Sequence, residues 1–258
     1  SKTVERNYPQ FSPDAKELAF IEDRMRLMVV NLETKKVRQV TDGSTWYSTA
    51  GGFDYSWSPD GKWFTLRFIG NKHDPYSDIG LVSAQGGEIT NLTNSGYTST
   101  SPQWVLDGNA ILFTTERYGM RAHASWGSLN DAMLVFMNQD AYDKFRLSKE
   151  DYELQKEQKE VAGDKTDDKK KEDKADEKKD EKPKDIVVEL KGIQDRILRL
   201  TPNSSEMGSA VISKNGETLY YFSAFEDKYD LWKMDLRKKE TKLLHKMNTG
   251  WANMEMDK

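Results

Sequence analysis

The sequence predicts an all-β fold assembled from a repeated unit, and three observations predict it. A turn phrase recurs four times: Phe11-Ser12-Pro13-Asp14, Trp57-Ser58-Pro59-Asp60-Gly61, Trp104-Val105-Leu106-Asp107-Gly108 and Ile212-Ser213-Lys214-Asn215-Gly216. The first three copies start 46 and 47 residues apart, and the fourth starts 108 residues after the third. Each copy precedes a short run of branched and aromatic residues bounded by turn formers, as a strand should be. Four short strands in a unit of this length form a β-propeller blade. The expected architecture is a propeller fragment of about four four-stranded blades plus the first strand of another, with a charged, partly helical and disordered insertion in the third blade.

The turn has a physical reason. Proline presets φ at the first corner of a type I turn, Asp or Asn suits the second, and Gly takes the left-handed position that closes the hairpin. In the first unit, residues 8–41, the later strands read as 18–21, 27–32 and 37–41. The second unit, 54–93, repeats them as 63–68, 79–83 and 88–93. The third, 101–201, is irregular. Its strands 110–114 and 132–137 are followed by an insertion over 147–185, helical at first and then a run of Lys, Asp and Glu. The unit resumes at 186–190 and closes with 196–201, which matches the other closing strands. The fourth unit, 208–245, has strands 218–222, 230–236 and 241–245. Residues 251–258 read as the opening strand of a fifth unit, so the chain is expected to belong to a longer propeller.

Composition narrows the function classes. Residues 149–185 hold 12 Lys and 15 Asp or Glu, leaving 27 basic and 28 acidic residues elsewhere. Such a balance gives no nucleic-acid footprint. No apolar stretch reaches membrane-spanning length, and Ser1-Lys2-Thr3-Val4-Glu5-Arg6 has no signal-peptide pattern. Cysteine is absent, which excludes disulfide and thiolate chemistry.

No residue pattern points to catalysis. His123-Ala124-Ser125 has no strand-turn-helix elbow and no Gly-rich oxyanion loop, so it reads as a loop bonding backbone. His73 and His245 lack partners, and no metal or cofactor is expected. Asp14, Asp60 and Asp107 in the turns, and Asp78, Asp131 and Asp230 before third strands, recur in the repeat. Recurrence favours architecture, because a site needs one copy and a fold needs all. Trp57, Trp63, Phe68, Trp104, Tyr220 and Phe222 are expected mostly between blades. Trp46, Tyr47 and Tyr97, in polar loops between units, are the candidates for peptide contact.

Two stretches carry a family resemblance. Ser125-Trp126-Gly127-Ser128-Leu129-Asn130-Asp131, running into Val135-Phe136-Met137-Asn138-Gln139-Asp140-Ala141-Tyr142, resembles a blade of tricorn-type serine proteases. The segment Ile186-Val187-Val188-Glu189-Leu190-Lys191-Gly192-Ile193-Gln194-Asp195-Arg196, after a charged insertion, is similar as well. The repeat itself is shared with TolB and with the propellers of prolyl-oligopeptidase relatives. The resemblance implies a non-catalytic propeller segment that guides or filters peptides and unfolded protein substrates toward a serine-peptidase domain outside this chain. The partners it implies are the remaining blades and that catalytic domain, and it implies export to the periplasm. A TolB-like scaffold binding partner proteins, and a propeller capping a prolyl-oligopeptidase-type hydrolase, stay open as alternatives. Unstacked terminal blades predict homo-oligomerisation.

Overall fold

In the computed structural model, which describes residues 3–47, 49, 51–70, 74–121, 128–164, 185–225 and 228–254, three copies of the turn phrase close with the same bonds. The serine hydroxyl donates to the side-chain oxygen two residues on: Ser12 to Asp14 at 2.7 Å, Ser58 to Asp60 at 2.5 Å and Ser213 to Asn215 at 2.6 Å. It also accepts the backbone N–H that opens the next strand, from Glu17, Trp63 and Thr218. The residue after the Asp or Asn is left-handed, with φ of 55° at Ala15, 70° at Gly61 and 74° at Gly216. Glycine takes that conformation without steric cost. The third copy departs from this plan. Val105 replaces the serine, Leu106 and Asp107 are themselves left-handed, and a 3-10 turn spans Leu106–Gly108.

These turns join the first two strands of four separate four-stranded sheets, each antiparallel with its strands in chain order. The first sheet comprises β1 (Arg6–Phe11), β2 (Glu17–Glu22), β3 (Arg26–Asn31) and β4 (Val37–Gln39). The second comprises β5 (Tyr55–Trp57), β6 (Trp63–Phe68), β7 (Asp78–Ser83) and β8 (Thr90–Asn91). The third comprises β9 (Ser99–Val105), β10 (Ala110–Thr115), β11 (Asp131–Phe136) and β12 (Ile197–Arg199). The fourth comprises β13 (Glu206–Ile212), β14 (Thr218–Ala224), β15 (Tyr229–Asp235) and β16 (Glu240–Thr249). Four meandering blades of this kind are a β-propeller segment. Pro9 and Pro102 lie in first strands because the register shifts there, and Tyr8 and Ser101 before them have φ of 56° and 55°. A bulge residue is left out of the ladder, so the missing N–H costs nothing.

Burial follows the stacking. One core lies between the first two blades, with Ala19, Ile21, Leu27 and Val29 facing Tyr55, Trp57, Phe64 and Leu66. A second lies between blades two and three, where Ile79 and Leu81 meet Ile111, Phe113, Met133 and Val135, with Trp63 and Trp104 packed against it. The third joins Leu112, Leu134 and Phe136 to Ile212, Leu219 and Tyr221. Alternate residues of β10 and β11 therefore serve two different interfaces, which follows from the two-residue period of a strand. The inner strands are also tied by indole N–H groups: Trp57 donates to the Gln10 carbonyl and Trp104 to the Ser56 carbonyl, both at 3.3 Å.

The insertion differs from expectation at its start. It leaves the blade at Met137, ten residues before the expected start, through α1 (Gln139–Arg146), which the sequence reading did not place. Asn138 caps that helix by accepting the Ala141 N–H at 2.9 Å. α2 (Lys149–Asp164) is the expected helix, started by Ser148, which accepts the Asp151 N–H at 3.1 Å. Residues 186–190, where the unit resumes, join no sheet; Glu189 N–H bonds the Met137 carbonyl at 2.8 Å. Arg196 holds this return in place. It is 4% exposed and donates to the carbonyls of Phe136, Lys191 and Glu189. The charged tract at 165–184 lies outside the described residues.

Candidate functional site

Strand order divides the connections between two ends of the segment. The hairpins joining first to second and third to fourth strands lie at one end, the turn face. The second-to-third loops and the crossings between blades lie at the other, the loop face. Trp46, Tyr47 and Tyr97 all fall on the loop face.

Trp46 is only 8% exposed. Its indole N–H donates to the Gly51 carbonyl at 2.9 Å, its ring meets Phe53 edge-on, and the Arg67 guanidinium covers it at 5.2 Å. Tyr47 stacks on it with ring centres 5.2 Å apart and is the more open of the pair. Tyr97 belongs to a second group, in which Arg121 lies 4.8 Å from its ring and 5.6 Å from that of Tyr76. Nearby in sequence, Tyr118 is flanked by Arg117 and Arg199. Sequence reasoning missed the arginines and Tyr76. Tyr76, Arg117 and Arg121 lie in loops that lead into a third strand, whereas Arg67 and Arg199 lie in β6 and β12, where no pattern marks them. A guanidinium on an aromatic face keeps its N–H edge free for carbonyl or carboxylate oxygens.

The recurring aspartates have structural partners. Asp78 accepts the Thr93 hydroxyl at 2.6 Å and the Asn91 amide at 2.9 Å. Asp131 accepts the Thr201 hydroxyl at 2.7 Å, the Ser204 hydroxyl at 2.7 Å and Arg199 at 3.0 Å. In both blades the same threonine accepts the backbone N–H of the residue after the aspartate, from Ile79 and from Ala132. Thr41 does this for Leu27 in the first blade without an aspartate. Asp230 instead accepts two backbone N–H groups, from Met247 and Asn248. In the turns, the Ser12 hydroxyl holds the Asp14 carboxyl below the usual carboxylate range.

His123, Ser125 and His73 lie outside the described residues. Among the described residues no serine is hydrogen-bonded to a histidine, and none form a group of three or more His, Cys, Asp or Glu able to hold a metal ion.

On the turn face a cleft of about 500 Å³ opens where α1 and α2 overhang the seam between blades three and four. Phe136 packs against Tyr142 and Phe145 of α1, with ring centres 5.6 and 5.1 Å apart. Arg237 of the fourth blade reaches across to stack on Tyr152 at 3.6 Å and donates to the Leu147 carbonyl at 3.2 Å. The return segment braces the other side: Lys62 pairs with Asp185 at 2.6 Å, and Ile186 N–H bonds the Asp60 carboxylate at 3.0 Å.

The fold places the chain among propellers that occur in peptidases and in TolB. Tricorn protease superimposes with a TM-score of 0.57 at 12% identity, covering 93% of this chain and 22% of its own. A structure from a study of two prolyl endopeptidases gives 0.55 at 12%, covering 95% and 29%. A protein assigned as TolB in Agrobacterium tumefaciens gives 0.53 at 15%, covering 95% and 62%. In sequence, 115 residues are 32% identical to the uncharacterised peptidase YuxL of Bacillus subtilis (strain 168), 41% of this chain and 16% of that protein. No family model matches the chain. The chain thus spans less than two thirds of each of these proteins.

Proposed function

We propose that the chain is a non-catalytic propeller segment of a tricorn-like serine peptidase, which guides or filters peptide toward a catalytic domain outside these residues. The carrying observation is the peptidase relative at 32% identity. It agrees with a fold shared with tricorn protease and prolyl endopeptidases. The rationale is geometric: a ring of blades encloses a channel, which passes extended chain and turns away folded protein. In this reading Tyr47 and Tyr97 touch the passing peptide, Trp46 supports Tyr47, and Arg121 bonds peptide oxygens. The test compares a full-length protein carrying this segment with a version lacking it, on an unfolded and a folded substrate. Loss of the preference for the unfolded substrate supports the proposal; equal, unchanged rates on both refute it. A TolB-like scaffold is the second reading, favoured by the larger share of the Agrobacterium protein that the chain spans.

A further inference from the structure

The three seams between blades are not closed alike. Between blades one and two, first strand is tied to first strand: the Gln10 side chain donates to the Tyr55 carbonyl at 2.9 Å, and the Trp57 indole to the Gln10 carbonyl at 3.3 Å. Between blades two and three the Trp104 indole donates to the Ser56 carbonyl at 3.3 Å. In the fourth turn phrase Ile212 stands where those tryptophans stand, and it has no side-chain donor. Among the described residues no hydrogen bond joins β9 to β13. The third seam also buries polar atoms that it does not satisfy. Strand alternation puts Ser223 on the face of Leu219 and Tyr221, which meets blade three. Ser223 is fully buried, and neither its hydroxyl nor the Trp232 indole N–H in the same seam has a partner among the described residues. Both would gain water if the seam parted, so parting costs less here than in a wholly apolar seam.

Polar ties hold this seam at its two ends instead. At the loop face Asn130 and Ser205 exchange backbone hydrogen bonds at 2.7 and 3.1 Å. At the turn face the insertion reaches over the seam: Arg237 of blade four donates to the Leu147 carbonyl at 3.2 Å and lies 3.6 Å from the ring centre of Tyr152. The insertion is rooted in blade three, where Tyr142 and Phe145 pack on Phe136. We propose that the seam between blades three and four parts by rotation about its Asn130–Ser205 end, and that the insertion is the strap that keeps it shut, with Tyr152 and the Leu147 carbonyl gripping Arg237. The fourth blade swings as a unit, since its four strands are hydrogen-bonded to one another. Peptide passage along the loop face is not required.

The chain has no cysteine, so a single thiol placed in a seam reports opening through the rate at which a maleimide reaches it. Ala210 is 4% exposed in the third seam, and Ala19 is fully buried in the first. Ala210→Cys and Ala19→Cys are made separately in the full chain, and circular dichroism checks that each variant folds. The thiol of Ala210→Cys should react faster than that of Ala19→Cys. Adding Tyr152→Ala should speed the first about tenfold and leave the second unchanged. Arg237→Met should act in the same way, and the double variant should do no more than Arg237→Met alone, because both remove one grip. Equal rates for the two thiols, no acceleration of the Ala210→Cys thiol by Tyr152→Ala, or an equal acceleration of both overturns the proposal.

Discussion

Replacing Asp131 by Ala tests whether the recurring aspartates hold the architecture. The Asp131 side chain is fully buried and accepts three side chains, from Thr201, Ser204 and Arg199. Removing it strands the Thr201 hydroxyl, which is itself buried, at about 1–3 kcal/mol. Ser204 can turn to water, so its lost bond costs about 0.5–1 kcal/mol. The Arg199 side chain is 33% exposed, so solvent screens its pair and the loss is about 0–1 kcal/mol. The total is about 1.5–5 kcal/mol, large against ordinary domain stability. Urea unfolding followed by tryptophan fluorescence reads it as a lower midpoint with an unchanged slope. Asp78→Ala should cost a similar amount, since Thr93 plays the Thr201 part. Asp230→Ala should cost less, because the N–H groups of Met247 and Asn248 belong to exposed residues that water can reach. If Asp131→Ala unfolds within about 0.5 kcal/mol of the parent chain, the size of a bland surface change, the structural assignment is wrong.

Arg196→Met should destabilise by about 2–4 kcal/mol, because three carbonyls around the return segment lose their donor. Limited proteolysis should then cut first near residues 185–196. The open face of the first blade carries Phe11, 64% exposed, and the last described residues carry Trp251, 77% exposed. Self-association measured by sedimentation should fall in a Phe11→Ser variant; a monodisperse parent chain would remove the premise.

Much of the fold was legible because its signals are local. The Ser-Pro-Asp-Gly turn closes on atoms within five residues, so Ser12, Ser58 and Ser213 announce their hairpins without any distant partner. The same locality hid the departure in the third copy, where Val105 and Leu106 fit the phrase loosely but take a different backbone path. Residues 186–190 look like a strand since Ile and Val suit one. They stay unpaired because β12 already occupies the outer edge of β11 over Met133–Val135. Helix α1 was missed because its apolar residues, Ala141, Tyr142 and Phe145, are few, and they pack on Phe136 at the seam that the third blade shares with the fourth. The loop-face candidates were readable as aromatics in polar loops, but the arginines that cover them come from elsewhere in the chain, Arg67 from β6 and Arg121 from the loop before β11.

By itself the sequence determined the repeat length and the four hairpins, both set by turn chemistry and side-chain alternation. Only the tertiary structure decided what each recurring polar residue does. Thr201 meets Asp131 across 70 residues of chain, and the cleft residues come from two blades and the insertion. Such partners are chosen by how the sheets stack, and stacking depends on faces that no single segment contains.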